Sequence, residues 1–226
     1  MSSEPDVDKI WGNLPLNSMR ESILGWWKNN KRRYPWRNTR NPYKILIAEV
    51  LLHRTQANQV VPVYKSFLNH FPDIKILAQS DESEILEILY PIGLHWRSKL
   101  LHTMAKEIVE KYNGRIPKDF DALSSLPGIS HYITSAFRCF AFGYPDILLD
   151  TNTVRVTGRL LGLKITDSSR RSSKYRNILE DFIDTDHPKE FNWALIDFAA
   201  LVCKSKKPNH LKCPFIIYCK YYTLQG

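Results

Sequence analysis

A tight turn between two helical segments organises the middle of the chain. Residues 126–130, with the sequence LPGIS, join a short apolar segment to a longer one. In the longer segment, apolar residues recur every three or four positions. Pro127 fixes its own φ, and Gly128 permits a backbone angle that other residues resist. After a loop, Asp150 stands where its side chain can cap a third helix. The stretch therefore predicts a helical hairpin followed by an acid at a helix N-terminus.

This arrangement suits an anion and a reacting sugar. The N–H groups of Gly128 and Ser130 would lie at the N-terminus of the second helix, where a DNA phosphate can bind. Tyr132 follows His131 on the first turn of that helix, close to the phosphate. A carboxylate at Asp150 beside such a turn indicates chemistry on a nucleotide sugar, where positive charge develops at the anomeric carbon. The alternative is an ordinary loop with an aspartate cap.

The charge balance favours a polyanionic partner. The 226 residues carry a formal net charge of +9, so DNA is the default candidate, and a merely basic protein is the alternative. A hydrophobic content of 43% excludes a disordered chain. The N-terminus is polar and no apolar run of about 18 residues occurs. We therefore expect no signal peptide, no membrane span, and an intracellular, cytoplasmic protein associated with the nucleoid.

Helical periodicity predicts the fold class. No segment of any length alternates in the manner of a strand, so we expect an all-α protein. The apolar patterns predict helices over residues 17–30, 43–54, 56–71, 81–90, 97–113, 152–164, 172–184 and 188–202.

Two of these helices carry an acid among apolar neighbours. Glu49 is flanked by Ile47 and Val50, and Asp197 lies in the apolar helix 188–202. A buried acid is costly unless it is paired or faces a cavity. We expect Asp197 to be hydrogen-bonded within the core. For Glu49, a surface position, a buried ion pair and a functional role are the alternatives.

In combination, these motifs resemble the helix-hairpin-helix DNA glycosylases, the superfamily of endonuclease III and MutY. LPGIS resembles their LPGVG hairpin, although Ser130 makes a left-handed backbone angle costlier than glycine would. PWR at 35–37 and EVLLHRT at 49–55 resemble the PWR and EVMLQQT of MutY, and GLHWRSK at 93–99 resembles its GLGYYARA. The chain is most similar to thymine-DNA mismatch glycosylases of the Mig group, because Tyr132 replaces the lysine of endonuclease III and the serine of MutY.

The resemblance implies a two-lobed all-α fold. Residues 35–145 would form a six-helix barrel with the hairpin. Residues 1–34 and 146–226 would form a second helical lobe that carries a C-terminal metal-cluster loop. The implied partner is double-stranded DNA containing a mismatch, bound by a monomer.

The implied activity is hydrolysis of the N-glycosidic bond of thymine or uracil in T·G or U·G mismatches, without strand cleavage. Asp150 would stabilise the sugar cation, Tyr132 would stack on or wall the flipped base, and Glu49 would hydrogen-bond the pyrimidine edge. One alternative is an adenine glycosylase acting on A·G or A·8-oxoguanine, although we expect no room after Gly226 for the further domain that MutY uses. The other is a non-catalytic helix-hairpin-helix DNA-binding protein.

The resemblance also implies the DNA contacts. His53 and Arg54 take the places of the MutY glutamines, where Arg54 would fill the gap left by the flipped base and donate to its widowed partner. Phosphate contacts would come from the hairpin and from a lysine-rich loop in the tail: Gly128, Ser130, His131, Lys204, Lys206, Lys207 and Lys212.

Three of the four cysteines lie close together in the sequence of the tail. In an intracellular protein this favours a metal site over disulfides. The fourth, Cys139, is expected to fill the core. The iron–sulfur signature of the family is C-x6-C-x2-C-x5-C, and the tail matches it except that a histidine stands second. The resemblance implies a [4Fe–4S] cluster, with a zinc ion or an empty site as the alternatives. The four ligand positions are Cys203, His210, Cys213 and Cys219.

Overall fold

The computed structural model describes residues 10–224, and every regular element in that range is helical, which confirms the all-α prediction. The α-helices are α1 (Leu16–Asn30), α2 (Pro42–Leu52), α3 (Ala57–His70), α4 (Ile74–Gln79), α5 (Glu82–Leu89), α6 (Arg97–Tyr112), α7 (Phe120–Ser124), α8 (His131–Phe142), α9 (Thr151–Leu161), α10 (Ser173–Phe182), α11 (Pro188–Leu201) and α12 (Lys220–Thr223).

Residues 33–142 form one compact unit, built from α2 to α8. Its most buried helix is α2, in which every residue from Ile45 to Leu51 is buried, and all of these residues except Glu49 are apolar. α2 packs against α3 and α8, while α4 and α5 pack against α6. Phe67, Met104 and Phe137 are fully buried in the core of this unit.

The second compact unit comprises α1 and the helices from α9 onward, within residues 10–32 and 143–224. α11 packs against α1 and α9, and α9 also contacts α10 and α12. Buried rings fill the core: Phe198 lies 5.2 Å from Phe215, centroid to centroid, and Phe215 has no exposed surface. Phe215 belongs to the cysteine-bearing tail, so this ring anchors the tail to the core of the unit.

Asp197 is structural, as expected. It has no exposed surface, and its carboxylate accepts hydrogen bonds from Trp27 Nε1 at 2.9 Å, from Arg32 N at 3.1 Å and from Arg32 Nε at 2.6 Å. Three donors, one of them charged, offset the cost of removing this acid from water.

The helix ends differ from the sequence-based expectations for local reasons. α2 ends at Leu52, two residues early, because His53 is extended and Arg54 adopts a left-handed φ of +68°. α9 ends at Leu161 because Gly162 takes a left-handed φ of +64°. The short helix α4 was not predicted, since six residues are too few to show a helical period.

The unit boundaries fall near residues 33 and 142, within three residues of the predicted limits at 35 and 145. The assignment of residues 35–145 to a six-helix barrel stays a prediction. The first nine and last two residues of the proposed second lobe lie outside the described range. Among residues 10–224, no helix combines the length and apolar character needed to cross a bilayer.

Candidate active site

The predicted turn is a hairpin between α7 and α8. Gly128 adopts a φ of +77°, in the left-handed region that glycine occupies at least cost. Ser130 lies outside that region, and its hydroxyl accepts a hydrogen bond from Ile133 N at 3.3 Å. Ser130 therefore caps α8, and serine in place of glycine is compatible with the turn.

Gly128→Ala should destabilise the protein more than Gly143→Ala. Both glycines have a φ of +77°, so each alanine would carry a left-handed backbone cost of about 1 to 2 kcal/mol. Only at Gly128 would the new Cβ also lie 3.1 Å from Leu100 Cβ, whereas at Gly143 nothing lies within 4 Å. Thermal unfolding of the two variants measures the difference, and equal losses would show that Leu100 moves aside freely.

Glu49 is buried inside α2, so the surface position considered from the sequence is wrong. Its exposed fraction is 5%, and burial raises the pKa of its carboxyl to about 8, while the charge of Arg37 acts in the opposite direction. Glu49 is therefore mainly protonated at neutral pH. A neutral carboxyl both donates and accepts hydrogen bonds, which suits the edge of a pyrimidine.

The helix that carries Glu49 packs against the helix that carries Tyr132, since α2 contacts α8. Tyr132 is half-buried on the first turn of α8. His131, beside it, is exposed, and its ring lies 5.5 Å from that of Phe120, edge to face. The residues proposed from the hairpin and from α2 thus belong to one compact unit.

His53 and Arg54 follow the end of α2 directly. Arg54 is exposed and His53 is half-buried. His53 Nδ1 is hydrogen-bonded to the guanidinium of Arg97, at the start of α6. Sequence reasoning missed Arg97, although the helical period places it on the same face as Leu101 and Met104, which is the buried face of α6.

Asp150 is half-buried and caps α9, as predicted. Its Oδ1 accepts hydrogen bonds from Asn152 N and Thr153 N, each at 2.8 Å, and its Oδ2 accepts from Asn152 Nδ2 at 2.8 Å. Thr153 Oγ1 accepts in return from Asp150 N at 3.0 Å, which completes a capping box. Both carboxylate oxygens are held in place, so the orientation of this acid is set by the start of α9. Asp150 belongs to the second unit.

The tail brings its thiols near one another. The pKa of Cys213 is raised to about 11, mainly by burial and in small part by the neighbouring Cys219 and Cys203, while a hydrogen bond from the Phe215 backbone acts in the opposite direction. Arg159 Nη1 lies 3.5 Å from Cys203 Sγ, and the ring of His210 packs edge to face on Tyr222 at 4.8 Å. Within residues 10–224, no three His, Cys, Asp or Glu side chains form a ready-made ligand set for a single ion.

The four predicted phosphate-binding lysines of the tail are exposed. The loop that carries them is held by Arg159, whose guanidinium donates to Lys204 O at 2.6 Å and to Ser205 O at 2.8 Å. Arg159 thus holds the first part of this loop, and the four exposed lysines are Lys204, Lys206, Lys207 and Lys212.

Comparison with known proteins identifies the family. Residues 47–181 match the model of the HhH-GPD superfamily of base excision DNA repair proteins. A thymine-DNA glycosylase of Aeropyrum pernix is 38% identical over 92% of this chain and 96% of its own length. A thymine/uracil-DNA glycosylase of Pyrobaculum aerophilum is 36% identical over 92% of each chain. The solved structure of a thermostable thymine-DNA glycosylase superposes with a TM-score of 0.83 at 32% identity, over 92% of this chain and 97% of that one. The chain therefore belongs to the HhH-GPD superfamily of base excision DNA repair proteins.

Proposed function

We propose that the chain is a monofunctional DNA glycosylase that removes thymine or uracil from T·G and U·G mismatches. The observation that carries the proposal is its similarity, over nearly its whole length, to thymine and thymine/uracil glycosylases. It binds double-stranded DNA as a monomer and acts at the nucleoid. The helix N-terminus at the hairpin and the exposed lysines of the tail support DNA as the partner, because both kinds of group bind phosphate.

The reaction begins with the target base turned out of the duplex. A wobble pair costs less to open than a Watson–Crick pair, and this lowers a flipping cost of a few kcal/mol. The N-glycosidic bond then breaks, and positive charge develops on the sugar. The Asp150 carboxylate stabilises this charge and orients the attacking water. Its hydrogen bonds to Asn152 N and Thr153 N keep it in place as the charge develops.

Recognition of the pyrimidine falls to the first unit. Thymine and uracil present carbonyl acceptors and one N–H donor, and the neutral Glu49 carboxyl offers one donor and one acceptor in return. The ring of Tyr132 packs against the flipped base. The packing of α2 against α8 supports these roles, because it places Glu49 and Tyr132 on neighbouring helices of the same compact unit.

The test is a panel of duplexes that contain T·G, U·G, A·G or A·8-oxoguanine, each treated with alkali after incubation. The proposal expects alkali-labile sites from T·G and U·G only. Release from A·G or A·8-oxoguanine would favour the adenine glycosylase. Binding without release from any duplex would favour the non-catalytic DNA-binding protein.

The wild type should not be trapped on DNA by borohydride. The phenol of Tyr132 cannot form a Schiff base with the sugar aldehyde, so base release should leave the strand intact until alkali is added. Tyr132→Lys, which places an amine at this position, should become trappable. Trapping of the wild type would reveal another attacking amine and contradict the monofunctional assignment.

We further propose that the tail holds a [4Fe–4S] cluster. Its donor chemistry fits: three thiols lie near one another, and imidazole replaces thiolate in some iron–sulfur centres. Cys203, Cys213 and Cys219 would be the thiolate ligands, with His210 as the fourth. The cluster would be structural and would fix the lysine-bearing loop.

Purified protein should then be yellow-brown and contain iron and sulfide. His210→Cys should keep the colour, because it restores the usual ligand, whereas Cys213→Ser should lose both colour and DNA affinity. Cys139→Ser is the matched control, since this buried thiol lies outside the tail. A colourless protein with one equivalent of zinc would exclude the cluster, and a metal-free protein that binds DNA normally would exclude both metals.

A further inference from the structure

A patch of exposed cations lies at the end of α9 that is farther from Asp150. It is formed by the loop after α9, by the 3-10 turn Ser169–Arg171 and by the first turn of α10, and the 3-10 turn and α10 both contact α9. No carboxylate of residues 10–224 forms an ion pair with any of these cations. We call the five exposed residues the distal patch: Lys164, Arg170, Arg171, Lys174 and Arg176.

The backbone that carries the distal patch is held in place by local hydrogen bonds. Tyr175 Oη donates to Lys164 O at 3.2 Å, and Thr166 N donates to the hydroxyl of Ser169 at 3.0 Å. Ser169 itself is buried, and its N–H group donates to Thr166 O at 3.1 Å. The cations are therefore presented on an ordered surface, which lowers the entropic cost of binding a ligand there.

The chemistry of the distal patch fits nucleic acid better than protein. Its loop carries one acid, Asp167, and Arg170 Nε donates to the main-chain carbonyl of that residue at 3.3 Å. Ser168 and Ser173 are exposed beside the cations, and arginine, lysine and serine are among the side chains that contact DNA phosphates. Interfaces with DNA are polar and positively charged, whereas the centre of a protein interface is enriched in apolar and aromatic side chains. Within the patch, only Ile165 is a large apolar side chain with much of its surface exposed.

The position of the distal patch separates it from the reaction at Asp150. Asp150 caps the start of α9, and the eleven residues of this helix place its two ends about 16 Å apart. Eight of those residues are buried, and α10, α11 and α12 pack against the helix. A duplex that presents its sugar to Asp150 therefore cannot lie along α9 and reach the patch as well.

We propose that the distal patch is a second DNA-binding surface, which binds the phosphates of another duplex, or of a remote segment of the same molecule, while the first duplex is held at Asp150. The inference rests on the proposed function only in placing the first duplex there. Phosphate binding of this kind is independent of sequence. It would let the protein pass from one DNA segment to another without being released into solution.

The test is whether the protein captures one duplex while it is bound to another. The first duplex is short and immobilised and contains a stable abasic-site analogue opposite guanine, and the second is fully paired and fluorescent. The wild type should capture the second duplex, with one protein for each pair of duplexes. Arg170→Gln/Arg171→Gln/Lys174→Gln should weaken this capture about tenfold or more. It should also flatten the slope of log affinity against log salt by about 2.7, since each lost phosphate contact contributes about 0.9.

Two further variants separate the patch from general charge and from local structure. Lys65→Gln/Lys75→Gln/Lys106→Gln removes the same number of charges from exposed positions in the other compact unit, and it should capture the second duplex as the wild type does. Lys174→Gln/Arg176→Gln leaves the 3-10 turn unchanged, and it should flatten the salt slope by about 1.8. Base release from a U·G duplex should be nearly unchanged in all of these variants.

The inference is overturned if the wild type captures no second duplex, or if the patch variant and the control variant capture it equally well. A patch variant that loses affinity for the first duplex by the same factor would also overturn it, because the patch would then serve the duplex at Asp150. A fluorescent glutamate-rich peptide is the remaining probe. If it binds the wild type, loses affinity in the patch variant and is not displaced by DNA, the patch belongs to an acidic protein partner and the inference is wrong.

Failure of the inference and failure of the proposed function give different results. A wild type that captures the second duplex but releases no base from T·G or U·G would support the second surface and contradict the glycosylase. Release of thymine and uracil without capture of a second duplex would do the reverse.

Discussion

Asp150→Asn should abolish base release while DNA binding persists. The amide keeps an oxygen that can accept from Asn152 N and Thr153 N, so the start of α9 should survive. It loses the charge that offsets the sugar cation, and removal of one such stabilising group costs about a hundredfold to a thousandfold or more. Single-turnover release from a U·G duplex and binding to the same duplex measure the two effects separately.

Asp73→Asn is the matched control for this prediction. Asp73 caps α4 in the same way, with its carboxylate accepting from Lys75 N at 2.8 Å and Ile76 N at 3.0 Å. Both variants should lose a comparable amount of stability, about 1 kcal/mol or less, and only Asp150→Asn should lose activity. Near-normal release by Asp150→Asn would show that this acid is a helix cap and nothing more.

Glu49→Gln should stabilise the protein at alkaline pH and leave it nearly unchanged at acid pH. In the folded chain the Glu49 pKa is raised from 4.5 to about 8. As pH rises through 4.5, the unfolded chain loses this proton while the folded chain keeps it, so the contribution of Glu49 to stability falls until about pH 8 and then levels off. The amide has no proton to lose. The gain above pH 8 should be on the order of a few kcal/mol.

Denaturant unfolding at pH 5 and pH 9 tests this difference, with Glu84→Gln, an exposed acid of α5, as the control. Base release by the wild type should also fall as pH rises past the Glu49 pKa, because the ionised carboxylate cannot donate to a pyrimidine carbonyl. Glu49→Gln should retain part of the activity, and its base release should no longer fall as pH rises past 8. Parallel stability curves for wild type and Glu49→Gln would mean that Glu49 is ionised in the fold.

Local signals predicted much of this molecule. The hairpin depends on Gly128 and the cap of α9 on Asp150, and each is a short-range effect that a few neighbouring residues determine. The burial of Asp197 could be predicted from the apolar residues that surround it in the sequence. These features could be predicted because the residues that cause them are adjacent in the sequence.

Long-range partners could not be predicted in the same way. The end of α2 depends on Arg97, whose donors reach Val50 and His53 from more than forty positions away. The early stop at Leu52 likewise follows from the conformation of Arg54, and arginine carries no intrinsic preference for a left-handed angle. The partners of Asp197, Trp27 and Arg32, lie even farther off along the chain.

The left-handed conformation of Arg54 has a consequence for directed evolution. A non-glycine residue with a φ of +68° carries a backbone cost of about 1 kcal/mol that glycine would not, and asparagine would carry less of it. A library randomised at this codon and selected for heat resistance should therefore enrich glycine and asparagine. The family resemblance implies that Arg54 fills the gap left by the flipped base, and on that basis the same library selected for suppression of mutations should return arginine at this exposed position.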